Sequence, residues 1–279
     1  MSKTFSLIVA TYGRKVEIDN LLKSLILQNY NLSLVEIFIV DQNDKINLLP
    51  IIEKYRSFLL IHYLKSNKKG LSYNRNLALS KVNGDIVAFP DDDCCYYPDT
   101  LTNVNKFFDN YPNVDVVLGK IYNRKTHNNV IRKWNKKMIK INLFNFYFNY
   151  SSITIFTKKN NKFFDINLGV GTKFGSYEDA DYIIQLLKQN KLIMYYPFIE
   201  VWHSDQNVNF MDKNKIYCYG LGFGAICKKH IGFFSLILFF EALIFHLIKL
   251  VFALFKGDFT QVYKRLLSII SRIEGFFYG

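Results

Sequence analysis

The 279-residue chain has only four cysteines and five prolines. Four thiols, none in a C-x-x-C pair, exclude a disulfide scaffold at this length and leave no structural-zinc spacing, so a reducing, cytosolic setting is expected. No internal repeat recurs, which sets aside solenoids and propellers. No secretion signal is expected either: the apolar run after Met1 lasts about five residues against the roughly 7 to 15 of a signal core, and it reads as a buried strand. Acidic residues are in deficit, with 23 Asp plus Glu against 36 Lys plus Arg, a net charge of +13. That surplus favours a polyanionic partner, whether nucleic acid, anionic membrane face or phosphorylated substrate, without choosing among them. The abundance of Asn, Lys, Ile, Phe and Tyr reads as compositional bias, so part of the surplus carries no functional message.

What is present is core material: half of the residues are apolar and 17% are aromatic, which excludes global disorder. Short apolar runs alternate with helical patterns through the first 120 residues, the signature of βαβ units and a mainly parallel sheet. Strands are expected at Phe5 to Ala10, Val35 to Val40, Phe58 to Leu64 and Asp85 to Phe89, with helices at Val16 to Gln28 and Ser72 to Val82. Residues 123–150 read as an irregular surface excursion. A strand at Ser151 to Phe156, a helix at Tyr177 to Gln189 and a last strand at Leu192 to Val201 follow. Open α/β sheets bind ligands beyond the carboxyl ends of their strands, so Thr11, Asp41 and the acidic run at Asp91 are expected along one edge.

Asp91, Asp92 and Asp93 follow a strand directly. Three adjacent carboxylates repel one another, and a hard divalent cation, Mg²⁺ or Mn²⁺, is the simplest reason to place them together; a solvated acidic turn is the alternative. Glu178-Asp179 opens a helix, where two carboxylates can differ in pKa and one can serve as a base. His203 follows the last strand. His62, His127, His230 and His246 have no acidic neighbours in sequence and read as structural or exposed.

Ser6-Leu7-Ile8-Val9-Ala10-Thr11-Tyr12-Gly13-Arg14, Val40-Asp41, Arg75-Asn76, Gly84 to Asp93 with Pro98, and Glu178-Asp179 resemble, in order, the landmarks of family 2 glycosyltransferases over roughly residues 4 to 205. The resemblance implies a GT-A fold, Rossmann-like with a mainly parallel central sheet, and an inverting, metal-assisted transfer from a nucleotide sugar. It implies nucleotide-sugar contacts for Ala10, Thr11, Tyr12, Arg14, Asp41, Lys69, Arg75, Asp91 and Asp92. Asp41 would accept from the base, commonly uracil. Metal ligation falls to Asp93 and Asp91, with His203 as a further ligand. Asp179 is the implied base and Glu178 its alternative. No Gln-x-x-Arg-Trp motif of processive synthases is present, so addition of one sugar is expected, to a glycan or lipid-linked acceptor. A nucleotidyltransferase, an inactive nucleotide-binding scaffold and a basic nucleic-acid-binding protein are the rivals; clustered carboxylates in the same cleft speak against the last, and no nucleic acid is expected as partner.

Residues 1–210 are therefore expected to form the transferase domain and 211–279 a helical, membrane-associated region. Ile231 to Phe255 is almost wholly apolar but carries Glu241, His246 and Lys249, while Lys228, Lys229, His230, Lys256, Lys264, Arg265 and Arg272 flank it. Ionisable groups argue against a simple span and favour a helix lying on the cytoplasmic membrane surface; a buried or oligomeric helix is the alternative. A second amphipathic helix is expected over residues 259–272, with Phe259, Val262, Tyr263, Leu266, Leu267 and Ile270 on one side.

Overall fold

A computed structural model describes residues 2–204 and 212–279. It divides into two compact units, Met1–Phe163 with Ile183–Gln206, and Phe164–Tyr182 with Asn207–Gly279. The chain order is β1 (Phe5–Thr11), α1 (Val16–Ile26), β2 (Val35–Asp41), α2 (Leu49–Tyr55), β3 (Leu60–Lys65), α3 (Leu71–Leu79), β4 (Ile86–Ala88), β5 (Cys94–Tyr96), α4 (Thr100–Asn110), β6 (Val116–Asn123), β7 (Asn128–Asn129), β8 (Ile139–Lys140), β9 (Ile155–Lys158), α5 (Glu178–Lys188) and β10 (Ile193–His203). Three helices follow, α6 (Lys213–Lys229), α7 (Phe233–Phe255) and α8 (Phe259–Tyr278).

In the first unit the sheet runs β3-β2-β1-β4-β9-β6-β10-β5. β1, β2, β3 and β4 are mutually parallel, and β10 lies parallel to β6. Every residue of β1 and β2 is buried, as expected of parallel strands covered on both faces, which is why their sequences read as unbroken apolar runs. Register places Thr11 opposite Asp41 and Asp41 opposite Lys65, so the carboxyl ends of three strands line one edge.

Two expectations need correction. The strand expected from Ser151 begins later: Ser152–Thr154 is a 3₁₀ turn, and β9 then enters antiparallel between β4 and β6. The segment 123–150 is more than a surface excursion, because Val130, Trp134, Ile141, Phe146 and Tyr150 are buried. Its irregular backbone is pinned by the Trp134 indole N–H, which donates to the Val130 carbonyl at 3.0 Å, and by β8 pairing antiparallel with β10. The aromatics of the segment divide, Trp134, Phe146 and Tyr150 entering the core while Phe144 and Phe148 stay exposed.

In the second unit α6 packs closely on α8. A Cβ on Gly275 would lie under 3.0 Å from the Leu221 backbone, and one on Gly224 equally close to the Arg272 and Gly275 backbones. Glycine in a helix interior costs about 1 kcal/mol of propensity; here it permits near backbone contact. α7 turns Ser235, Phe239, His246 and Ala253 inward, and the buried residues of α8 are Ser268, Ser271 and Gly275. The unit also holds a buried ionic cluster. The Asp181 carboxylate meets His230 Nε2 at 2.7 Å and Lys229 Nζ at 2.9 Å, and Lys229 reaches Asp165 at 2.6 Å.

Candidate active site

The first unit gathers charged groups at the carboxyl edge of β1, β2 and β4. Asp91, Asp92 and Asp93 leave β4 through Pro90 and run into β5. β5 pairs antiparallel with the end of β10, Cys94 opposite His203, and this register sets Asp93 Oδ1 3.2 Å from His203 Nε2. Arg14, from the turn after β1, donates to Asp93 Oδ2 at 3.2 Å and to Glu17 at 2.9 Å. From α3, the fully buried Arg75 donates to Asp91 Oδ1 at 2.6 Å. Arg14, Arg75, Asp91, Asp93 and His203, separated by up to 189 positions in sequence, thus gather at one strand edge.

The three aspartates differ electrostatically. The His203 contact holds Asp93 below the usual carboxylate range. Burial pushes Asp92 up to about 7, Asp91 and Asp93 adding to the shift and the nearby Thr11 hydroxyl and Arg14 opposing it. Burial also raises Asp91, against the pull of Arg75. For His203, burial favours the neutral ring, but the bond to Asp93 outweighs it and holds the imidazole above its ordinary value. His203 Nδ1 lies 2.7 Å from the Ser204 carbonyl, which fixes the ring and directs Nε2 at Asp93.

Among the described residues no three His, Cys, Asp or Glu side chains converge as a complete ligand set. A two-donor edge, carboxylate oxygen plus imidazole nitrogen, is nevertheless what a cation shared with substrate phosphates needs, since Mg²⁺ is typically held by one or two carboxylates with phosphates and water completing the shell. The donor chemistry of Asp93 with His203 fits such an ion.

A second constellation surrounds Asp41, which is fully buried at the end of β2. Its Oδ1 accepts from the Asn43 backbone and side-chain nitrogens, each at 2.7 Å, and its Oδ2 accepts from Tyr63 at 2.5 Å and Lys65 at 2.9 Å. Burial alone would raise this carboxyl, but the four donors outweigh it and hold the group below its usual range. Sequence reasoning found Asp41 and missed Asn43, Tyr63 and Lys65; the last two come from β3, and only the parallel register brings them across. Lys69 bonds the Gln42 carbonyl and Asp44, and its ammonium lies 4.4 Å from the centre of the Tyr12 ring. Tyr12, 58% exposed, offers a flat aromatic face beside that charge. Gly13 turns the chain here at φ +76°, a left-handed conformation that favours glycine. Ala10 and Thr11 are buried in β1.

Asp41→Asn is expected to lower stability by about 2–3 kcal/mol at pH 7, because hydrogen bonds to a charged acceptor are lost. Since the folded-state pKa lies below the unfolded value, this contribution is complete above about pH 4 and disappears as pH falls through the folded pKa. Urea denaturation at pH 7 and pH 3 checks it: the gap between wild type and variant narrows at the lower pH.

Glu178 and Asp179 belong to the second unit, in the first turn of α5. Glu178 is buried, and Asp179 Oδ1 accepts from the Ala180 backbone at 2.8 Å. Tyr177 precedes them at φ +68°, a strained backbone for a bulky residue. Two of the histidines read as lacking acidic company have it: His230 at Asp181, and His62, 3.2 Å from Glu36. Both partners are remote in sequence.

Comparison with known proteins gives a consistent picture. The profile of glycosyl transferase family 2 matches residues 6–182. Poly(ribitol-phosphate) beta-N-acetylglucosaminyltransferase TarS of Staphylococcus aureus is 35% identical over 119 residues, 42% of this chain and 21% of that protein. An uncharacterized glycosyltransferase of Haemophilus influenzae is 31% identical over 112 residues, covering 40% of this chain and 37% of the relative. The chain thus spans about a fifth and about a third of these two lengths. Among solved structures, S. aureus TarS 1-349 in complex with UDP-GlcNAc superposes with TM-score 0.63 at 24% identity, over 80% of this chain and 65% of that one. A mannosyltransferase, PcManGT from Pyrobaculum calidifontis in complex with GDP-Man and Mn²⁺, gives TM-score 0.67 at 14% identity, over 99% and 87%. The GT-A fold expected from the sequence is the fold these neighbours share.

Proposed function

Because the chain belongs to glycosyl transferase family 2, we propose that it transfers a single sugar, with inversion, from a nucleotide sugar to a hydroxyl of a glycan or lipid-linked acceptor. The observation that carries this reading is the convergence of Asp91, Asp92, Asp93, Arg14, Arg75 and His203 at one strand edge. A nucleoside diphosphate needs cationic and hydrogen-bonding groups around its phosphates and a polar site for its base. Arg14 and Arg75 supply the first. The constellation of Asp41, Asn43, Tyr63 and Lys65 supplies the second, Tyr12 offers a stacking face, and a UDP-sugar is the donor that the TarS relationship favours.

Asp93 and His203 would hold Mg²⁺ or Mn²⁺, with Asp91 or Asp92 completing the shell or holding the ribose; the ion, when bound, neutralises charge on the departing diphosphate. The protein's own part is positional and acid–base. Arg75 fixes Asp91, and Arg14 screens Asp93. Asp179, by its resemblance to the family's Glu-Asp pair, takes the proton from the acceptor hydroxyl as that oxygen attacks the anomeric carbon opposite the leaving group; Glu178 is the alternative base. The apolar C-terminal helices would keep the enzyme at the cytoplasmic membrane surface, where a lipid-linked acceptor is met.

Calorimetric titration with UDP tests the donor site. Binding is expected to tighten at least about tenfold when Mn²⁺ is added, and Asp93→Asn is expected to remove that gain while weak metal-free binding persists. UDP binding that ignores Mn²⁺ in the wild type would count against the metal-assisted reading, and absence of any UDP binding would move the donor to another base.

A further inference from the structure

α8 is amphipathic in the inverted sense. Its buried residues are the small Ser268, Ser271 and Gly275, while Phe259, Tyr263, Leu266, Ile270, Ile273 and Phe277 recur every three or four positions and stand 38–75% exposed. α7 repeats the pattern, with Phe240, Leu247, Phe252 and Phe255 exposed at 57%, 53%, 59% and 85%. Among the described residues α7 alone is long and apolar enough to cross a bilayer, yet it keeps Glu241 and Lys249 exposed. A surface of this composition needs an apolar partner.

At the corner where α7 turns into α8 lies a pocket of about 410 Å³. Lys249, Lys256 and Arg265 line it, with Phe252 and Ala253 as its apolar wall. No ion pair among the described residues engages these three cations. Asp258 also lines the pocket, but its Oδ1 is occupied in capping α8 at the Gln261 N–H, 3.0 Å away, and the pocket keeps an excess of two positive charges. Burial and the neighbouring Arg272 push the Arg265 guanidinium below its ordinary value, a cost that a bound anion relieves.

We propose that the corner pocket of Lys249, Lys256 and Arg265 seats the phosphate of an anionic lipid headgroup, while the outward apolar stripes of α7 and α8 lie among the upper acyl chains. Charge complementarity selects a lipid surface over a second copy of this chain, which would bring the same cations together. The inference rests on the membrane-surface part of the proposed function and adds the site that reads lipid charge.

The test uses the full chain, sedimented with vesicles of pure phosphatidylcholine or of phosphatidylcholine with 30% phosphatidylglycerol, a fraction chosen at roughly the anionic content that gives a strong surface potential. Wild type is expected to bind both and to prefer the anionic vesicles. Lys256→Gln with Arg265→Gln is expected to lose about tenfold or more of the anionic binding and none of the neutral binding. The charge-matched control Lys45→Gln with Lys81→Gln, both exposed in the other unit, is expected to stay within about threefold. Equal loss in both double variants overturns the pocket and leaves only diffuse attraction. Wild type that binds no vesicle, or whose stripes are covered in a stable dimer by light scattering, overturns the membrane reading along with it. Phe255→Ser with Phe259→Ser separates the two: it weakens binding to both vesicle types if the stripes insert.

Discussion

Asp179→Asn is expected to lower turnover by about 10²–10⁴ while UDP affinity stays within about threefold of wild type, the signature of a lost general base with an intact donor site. The substitution is nearly isosteric, and the amide oxygen still accepts from the Ala180 N–H that the carboxylate engages at 2.8 Å, so the start of α5 keeps its geometry. Single-turnover measurement with saturating UDP-sugar and Mn²⁺ reads the chemical step directly. Unchanged turnover would transfer the role to Glu178, whose buried position makes Glu178→Gln the next variant.

Two residues further along the same helix the expected result is of another kind. Asp181→Ala is expected to lose about 3 kcal/mol of stability, because removing one member of a buried ionic cluster leaves the others uncompensated. His230 is affected most, being buried with Asp181 at 2.7 Å. Lys229 is partly exposed and retains Asp165 at 2.6 Å, which places the estimate at the low end of the range for buried pairs. Burial alone would raise Asp181, but the bonds from His230 and Lys229 outweigh it and hold the carboxyl below its usual range. The contribution is therefore complete above about pH 4 and fades as pH falls through the folded-state value. Thermal unfolding at pH 7 and pH 3 should show wild type and variant converging at the lower pH; a gap that persists would mean the carboxylate's charge is not what stabilises.

The contrast between Asp179 and Asp181 shows what the sequence discloses. Local pattern was enough to find the acidic turn, the strand ends at Thr11 and Asp41 and the parallel half of the sheet, because β1 and β2 are buried on both faces and read as continuous apolar runs. It was not enough for elements whose reason lies elsewhere in the chain. β5 has three residues and exists through its pairing with β10. Three glycines at positions 220, 222 and 224 argue locally against α6, yet Gly224 answers the backbone of α8 and Gly222 that of Ser176. Two of the partners of Asp41, Tyr63 and Lys65, come from β3, and those of Asp181 from the C-terminal end of α6 and its cap, so these residues could be picked out while the networks that set their charge could not.

The second unit is assembled from two stretches of chain separated by residues of the first, and this has a bearing on time. Asp181 leaves the ribosome well before Lys229 and His230, with β10 synthesised in between. At roughly 5–20 residues per second the 49 residues from Asp181 to His230 take about 2–10 s, during which the carboxylate has neither counter-charge. The first turn of α5 thus gains this support after every strand of the sheet has been made. A nascent chain halted before α6 would hold every strand of the sheet and the acidic turn while Asp181 still lacked His230 and Lys229, so the start of α5 gains its ionic support only once the end of α6 has been made.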